Sequence, residues 1–312
     1  MPIAVVFPGQ GSQAPGFCLP WLTRPAWRVV TEAEEALGRR LSGLLTDAGA
    51  DLSATADAQL SVLLGSLVAW RDVAEHLPEP PAFVAGHSLG QITALIAAGV
   101  LGAGDGVRFA GARAAATQAA ADETPGRLLA LLGADEPTAT AACEAAPGAA
   151  WVANINAPGQ VVLGGTPEGM DAAAERAGQL GVRRARPLAV GGAFHTPLMQ
   201  PAADRLGADL ERLATRDPAV PVVTNHDAAV CRSGEGWDER LAVHLVRAVR
   251  WQASVETMVA EGVDTFVEVG PGTTLTGLIK RIAPEATTAN VAHPDDAARL
   301  SELLPSTLEG AR

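Results

Sequence analysis

Tyrosine is absent from this 312-residue chain, and lysine occurs once, at Lys280. The remaining 22 of the 23 basic residues are therefore arginines. Beside an Ala- and Gly-rich composition, both scarcities fit a GC-rich coding sequence, so the arginine excess carries no function by itself. Cysteine is also scarce. Cys18, Cys143 and Cys231 are odd in number and far apart, which excludes a disulfide framework and metal-ligand spacing and makes a reducing cytoplasm the expected location. No apolar run reaches the roughly 18 residues needed to cross a bilayer. The start, Met1-Pro2-Ile3-Ala4-Val5-Val6-Phe7, lacks a basic region and reads as a buried strand, not a signal peptide. Positive charge is in deficit too: the net charge of −12 argues against nucleic acid as a partner.

What is present describes a folded protein of about two domains, with 48% hydrophobic and 19% charged residues. Short apolar runs alternate with longer helical patterns, and the expected fold class is α/β. Residues 3–7 and 82–85 read as strands. Residues 58–76 and 105–121 read as helices, the second with Asp105 as N-cap, and Pro78, Pro80 and Pro81 close the first. Strands at 128–132, 151–156, 160–163 and 183–190, with helices at 137–146 and 167–180, give the order βαββαβ, a ferredoxin-like arrangement. The expected organisation is a large domain over 1–125 and 191–312 and a small domain over 126–190. Strands at 221–224, 265–269 and 287–291 complete the large one.

The sharpest local signal is Gly86-His87-Ser88-Leu89-Gly90, which follows an apolar run and precedes a helical stretch from Ile92 to Ala98. G-x-S-x-G in a strand–turn–helix setting exposes the serine hydroxyl at a helix N-terminus, with the next amide, that of Leu89, available to an oxyanion. The same five residues also suit an ordinary βα loop. A serine nucleophile needs a base. His195, in Gly191-Gly192-Ala193-Phe194-His195-Thr196-Pro197, falls where the chain returns from the small domain, at a join where pockets tend to form. A loop histidine can equally be a surface residue. His87 adjoins Ser88 and points elsewhere, and His76 ends a helix whose dipole it can complement.

Five ordered motifs carry a family resemblance: Val6-Phe7-Pro8-Gly9-Gln10-Gly11-Ser12-Gln13, Gly86-His87-Ser88-Leu89-Gly90, Asn156-Ala157-Pro158-Gly159-Gln160, Gly192-Ala193-Phe194-His195 and Glu268-Val269-Gly270-Pro271-Gly272. Together they resemble malonyl-CoA:acyl carrier protein transacylases and the related acyltransferase domains of polyketide synthases. The resemblance implies an α/β-hydrolase-like large domain with a ferredoxin-like insert. It implies Ser88 as nucleophile, His195 as base, and the amides of Gln10 and Leu89 as the oxyanion hole. It places Arg113 against the free carboxylate of malonate, a task that suits a bidentate guanidinium. Phe194 is the residue type associated with malonyl preference, and His87 and Gln59 join the substrate-binding set. No cofactor is implied; a coenzyme A thioester and carrier-bound phosphopantetheine are substrates. The implied partners are an acyl carrier protein and an acyl-CoA, with no membrane, and the chain is expected to be a monomer.

Some positions depart from the pattern. Gln91 stands where G-H-S-x-G-E has its acid. His244 occupies the place of an Asn or Gln whose backbone carbonyl orients the histidine, and Ala58-Gln59-Leu60 replaces T-Q-P. The implied carrier is acidic, so Arg183, Arg184, Arg186, Lys280 and Arg281 are either a docking patch or scattered solvated charge. Two other functions fit the same nucleophile: a discrete polyketide-pathway acyltransferase moving another acyl group between carrier proteins, and a serine hydrolase that clears mis-acylated carriers. Only the hydrolase has no use for Arg113.

Overall fold

A computed structural model of the chain describes residues 2–77 and 79–303, with side chains to 300. Pro78, named above as a helix breaker, and 304–312, counted above in the large domain, lie outside the described residues. The strands are β1 (Ile3–Phe7), β2 (Phe83–Gly86), β3 (Arg127–Leu132), β4 (Ala150–Ala157), β5 (Gln160–Gly165), β6 (Arg184–Pro187), β7 (Val222–Val223), β8 (Val230–Cys231), β9 (Thr265–Val269) and β10 (Thr287–Val291).

They form two sheets. The larger runs β10-β9-β1-β2-β7-β8, parallel except for the β7–β8 hairpin. Because β1 alternates sides, Val5 and Phe7 enter one core with Leu63, Ile92 and Val269, while Ala4 and Val6 enter another with Trp251, Phe266 and Leu278. A parallel sheet covered on both faces explains why β1 is hydrophobic throughout rather than alternating. The smaller sheet is antiparallel, in the order β4-β5-β3-β6. One face packs on the helices Glu136–Cys143 and Pro167–Gln179 through Leu129, Leu131, Leu163 and Met170. The other turns Leu128, Ala130 and Val162 toward the main core. The smaller sheet is tied to the segment before the helix Trp251–Ala260 by backbone bonds, Ile155 N–H to Val249 O at 2.8 Å and Val249 N–H to Ala153 O at 3.0 Å.

Several element boundaries differ from expectation. The first long helix spans Thr55–Val73, not 58–76, and His76 lies beyond its end. Its start is set by a tertiary cap: Gln118 Oε1 accepts the Thr55 N–H at 3.1 Å. The next long helix spans Ala103–Glu123, with Gly102 as N-cap; Asp105 lies inside its first turn and pairs with Arg108 at 2.6 Å. The last strand of the small sheet is shorter than 183–190. It ends at Pro187; Leu188 still donates its N–H to Leu128 O at 3.0 Å, and Leu188–Val190 form a cavity wall.

Candidate active site

Strand β2 runs into the helix Gly90–Ala97 through a turn whose apex is Ser88, held at φ 52°. Positive φ is uncommon outside glycine and needs support from its surroundings. The flanking glycines provide the space. A Cβ on Gly86 would lie 1.9 Å from Gly90 O, and one on Gly90 would lie 2.1 Å from Phe7 O. The G-x-S-x-G pattern is thus a packing requirement of strand, turn and helix.

The chain returning from the small sheet brings His195 opposite. Ser88 Oγ and His195 Nε2 are 2.7 Å apart, and His195 Nδ1 is 2.8 Å from His244 O. A carbonyl only accepts, so Nδ1 carries the ring proton and Nε2 offers its lone pair to the serine hydroxyl. His195 is 3% exposed. Burial first, and then the charge of Arg113, push its pKa down to about 3, against an opposing pull from the His244 carbonyl. The neutral ring is therefore the resting form.

Arg113 is also buried, at 3% exposure, rather than a surface residue of its helix. Its Nη1 donates to Gln59 Oε1, and its Nη2 lies 3.4 Å from Ser88 Oγ. Gln59 is fixed in turn by Thr117 Oγ1 at 3.1 Å, and Thr117 bonds the Arg113 carbonyl at 2.9 Å. Nε has no hydrogen-bond partner, and among the described residues no carboxylate pairs with the guanidinium. Desolvation lowers its pKa to about 10, so it remains charged at neutral pH. A buried, uncompensated cation beside a nucleophile is an anion site.

The remaining residues surround a cavity of about 480 Å³. Gln10, Leu89, Phe194, Leu128, Val162 and Leu188 line it together with Ser88, His195 and Arg113. Gln10 follows Gly9, where a Cβ would lie 2.5 Å from His87 O, so its turn packs directly on the elbow. Neither the Gln10 nor the Leu89 amide makes a hydrogen bond among the described residues, and both are available to a ligand oxygen. The Ser88 amide is not, because Asn225 Oδ1 accepts it at 2.7 Å. His87 makes no bond to Ser88; its Nε2 lies 2.9 Å from Asn156 Oδ1, and its ring meets Trp251 edge-on. No cluster of metal-ligating side chains occurs among the described residues.

Two functional features escaped the sequence reading. Asn225, just beyond a two-residue strand, contacts both the elbow and His244. Its only sequence signal was its place after an apolar run in a parallel sheet, where side chains reach the carboxyl-end crevice. The Glu268 carboxylate accepts the Leu275 and Thr276 amides at 3.0 and 2.7 Å. It thereby caps the helix Thr274–Ile282, whose first turn forms part of the cavity wall.

A serine held on a strained elbow, a neutral histidine at its hydroxyl and two free amides define a serine enzyme working on acyl groups. The chain belongs to the acyl transferase domain family, which it matches over residues 4–300. It is 38% identical over 307 residues to the malonyl CoA-acyl carrier protein transacylase of Escherichia coli O157:H7, covering 96% of this chain and 99% of that one. Among solved structures, the acyl-carrier-protein S-malonyltransferase of Burkholderia pseudomallei 1710b superposes with a TM-score of 0.92 at 36% identity, covering 97% of this chain and all of the other. A malonyl-transacylase in complex with its type II polyketide synthase acyl-carrier protein is similar to the same degree, with a TM-score of 0.92, 35% identity and coverage of 97% and 100%.

Proposed function

We propose that this protein transfers a malonyl group from coenzyme A to the phosphopantetheine thiol of an acyl carrier protein. The observation that carries the reading is the buried Arg113 guanidinium, without a carboxylate partner and 3.4 Å from Ser88 Oγ. An acyl group bearing its own carboxylate supplies the missing charge and, once seated there, presents its thioester to the serine.

The steps follow from the hydrogen bonds. Ser88 Oγ attacks the thioester carbonyl while His195 Nε2 takes its proton. The His244 carbonyl holds the resulting imidazolium through Nδ1–H. The oxyanion sits between the Gln10 and Leu89 amides, where one well-placed donor contributes roughly 3 kcal/mol. The imidazolium returns its proton to the departing coenzyme A sulfur, leaving malonyl-Ser88. His195 then deprotonates the carrier's thiol, whose sulfur attacks the ester carbonyl; the C–Oγ bond breaks, and the imidazolium gives its proton to the leaving Ser88 Oγ, regenerating the serine. Gln59 fixes Arg113. Phe194 and His87 border the acyl chamber, and a bulky ring there restricts an α-methyl group.

The fold is read as an α/β-hydrolase-like domain, over 1–125 and 191–312, carrying a ferredoxin-like domain over 126–190. The strand orders and the βαββαβ succession support that division. The carrier is proposed to approach across Arg183, Arg184, Arg186, Lys280 and Arg281, which are exposed. Of these, Arg281 bonds Gln160 Oε1 at 2.8 Å, at the cavity edge. The reaction needs no cofactor. A monomer in the cytoplasm is the proposed state, and no described helix is long and apolar enough to cross a membrane. Intact-mass analysis after incubation with a panel of acyl-CoAs tests the reading. The expected result is one malonyl adduct on Ser88, discharged on adding acyl carrier protein; discharge to water alone would assign a hydrolase.

A further inference from the structure

The line from Ser88 Oγ through the His195 ring to His244 O joins three segments remote in sequence. The serine is on the elbow after β2, the imidazole is on the return from the small sheet, and the carbonyl ends the helix Trp237–His244. An imidazole is rigid, so bonds of 2.7 and 2.8 Å at its two nitrogens persist only if the elbow and the carbonyl keep a fixed separation. One side chain bridges them. Asn225 Oδ1 accepts the Ser88 N–H at 2.7 Å and lies 3.1 Å from His244 Nε2, while Nδ2 donates to Gly86 O at 2.7 Å. Donation to a carbonyl fixes which end of the amide is nitrogen. The oxygen therefore faces His244, whose Nε2 carries the proton.

Asn225 is itself held. It is 1% exposed. Its N–H donates to Gln91 Oε1 at 3.1 Å, and its carbonyl accepts from Arg250 N–H at 2.7 Å. The register Val84↔Val222 and Ala85↔Val223 sends the two chains out of the sheet side by side, which puts Asn225 against the elbow. By occupying the Ser88 amide it also leaves the oxyanion to Leu89 and Gln10.

We infer that Asn225 is a positioning residue for acyl transfer: its carboxamide clamps the nucleophile elbow to the helix that presents the His244 carbonyl, and Gln91 secures the clamp. The inference rests on the reading of Ser88 and His195 as the acyl-transfer pair. Asn225 touches neither the substrate nor the reacting atoms, so its removal acts through misalignment, for which losses of about 100-fold follow displacements of an ångström.

Single-turnover acylation of the full chain by malonyl-CoA, followed by intact mass, tests it. Asn225→Ala is expected to lower the maximal acylation rate about 10- to 100-fold while the half-saturating malonyl-CoA concentration stays near that of the parent. Gln91→Leu is expected to lower the rate less, and Gln91→Glu to restore most of that loss, because a carboxylate accepts the same N–H. Should Asn225→Ala fail to fold, Asn225→Asp keeps the accepting oxygen but sets a second oxygen against Gly86 O in place of the amide N–H; a lowered rate at unchanged half-saturation is then expected. An undiminished rate, or a loss residing wholly in half-saturation, would overturn the inference, as would Gln91→Glu being no better than Gln91→Leu. Ser88→Ala and His195→Ala, with Asn225 intact, report separately on the acyl-transfer reading: acylation that persists in Ser88→Ala, or runs at a near-normal rate in His195→Ala, refutes that reading, whatever Asn225 does.

Discussion

Replacing Arg113 by alanine separates a carboxylate-binding role from a structural one. In the free protein the guanidinium bonds Gln59 and approaches Ser88 Oγ, with Nε unpartnered. A malonyl carboxylate seated against it makes charge-assisted hydrogen bonds in a site where water is largely excluded. Such bonds contribute about 1.5–3 kcal/mol, or one to two decades in rate. Arg113→Ala should therefore lower the specificity constant for Ser88 acylation by malonyl-CoA about 10- to 100-fold. Acetyl-CoA has no charge to pair. It should acylate the variant as fast as the parent or faster, because the variant no longer holds an unsatisfied cation beside the developing imidazolium. Parallel acylation by the two thioesters, read by intact mass, gives the ratio directly. Equal losses for both would refute the argument and make Arg113 a scaffold for Gln59 and Thr117.

Further outcomes follow from the same geometry. Ser88→Ala should abolish both the adduct and transfer, and His195→Ala should slow acylation by about 10²- to 10⁴-fold; a near-normal rate in the latter would assign the base elsewhere. His244→Gln should keep the greater part of the activity, because the contact to His195 is a backbone carbonyl and a glutamine amide can donate to Asn225 Oδ1 in place of Nε2; a loss like that of His195→Ala, beyond that of Asn225→Ala, would make the His244 imidazole itself catalytic. Gly90→Ala should give little folded protein in expression and thermal-melt assays, since its Cβ would lie 2.1 Å from Phe7 O. The acid limb of acylation should fall well below pH 6.5, because burial and Arg113 hold His195 near 3, and Arg113→Ala should move that limb upward in a pH–rate profile. Stability follows the same sign: between pH 6.5 and about 3 the unfolded chain takes up a proton that the buried ring refuses, so the melting temperature should be level above 6.5 and fall as pH falls through that window.

Some of this site could be read along the chain and some could not, for physical reasons. Gly86 and Gly90 are legible because the contact they permit is local, between a strand, its turn and the following helix. The βαββαβ order is legible because its strands are bounded by turn residues such as Pro158 and Gly159, the latter at φ 71°. The start of the helix at Thr55 was not, because its cap comes from Gln118, 63 residues away. Asn225 was missed for a similar reason: its partners Ser88 and Gly86 lie 137 and 139 residues away and meet it only through the β2–β7 register. The burial of Arg113 is likewise invisible from its helix alone, where neighbouring alanines give no sign of which face is covered. Without the motif resemblance, that arginine would remain one of 22.

The charge balance of the site bears on why an acyl enzyme should transfer its group and not lose it to water. His87, His195 and His244 have depressed pKa values, each chiefly through burial, and Arg113 is the fixed charge among them. On the proposed reading, the malonyl carboxylate of the acyl enzyme meets Arg113, and its negative charge offsets one of the causes that lower the basicity of His195. The histidine becomes a better base at the stage where it must deprotonate the incoming thiol. A thiol loses its proton far more readily than water does, so a base tuned only this far favours the thiol over water as attacker. On that reading, the guanidinium proposed to select a carboxylated acyl group also adjusts the base that hands it on. An acetyl ester at Ser88 lacks that adjustment, and its discharge to a carrier should be slower than that of malonyl-Ser88 in the parent, with a smaller difference in Arg113→Ala, where nothing holds the carboxylate beside His195.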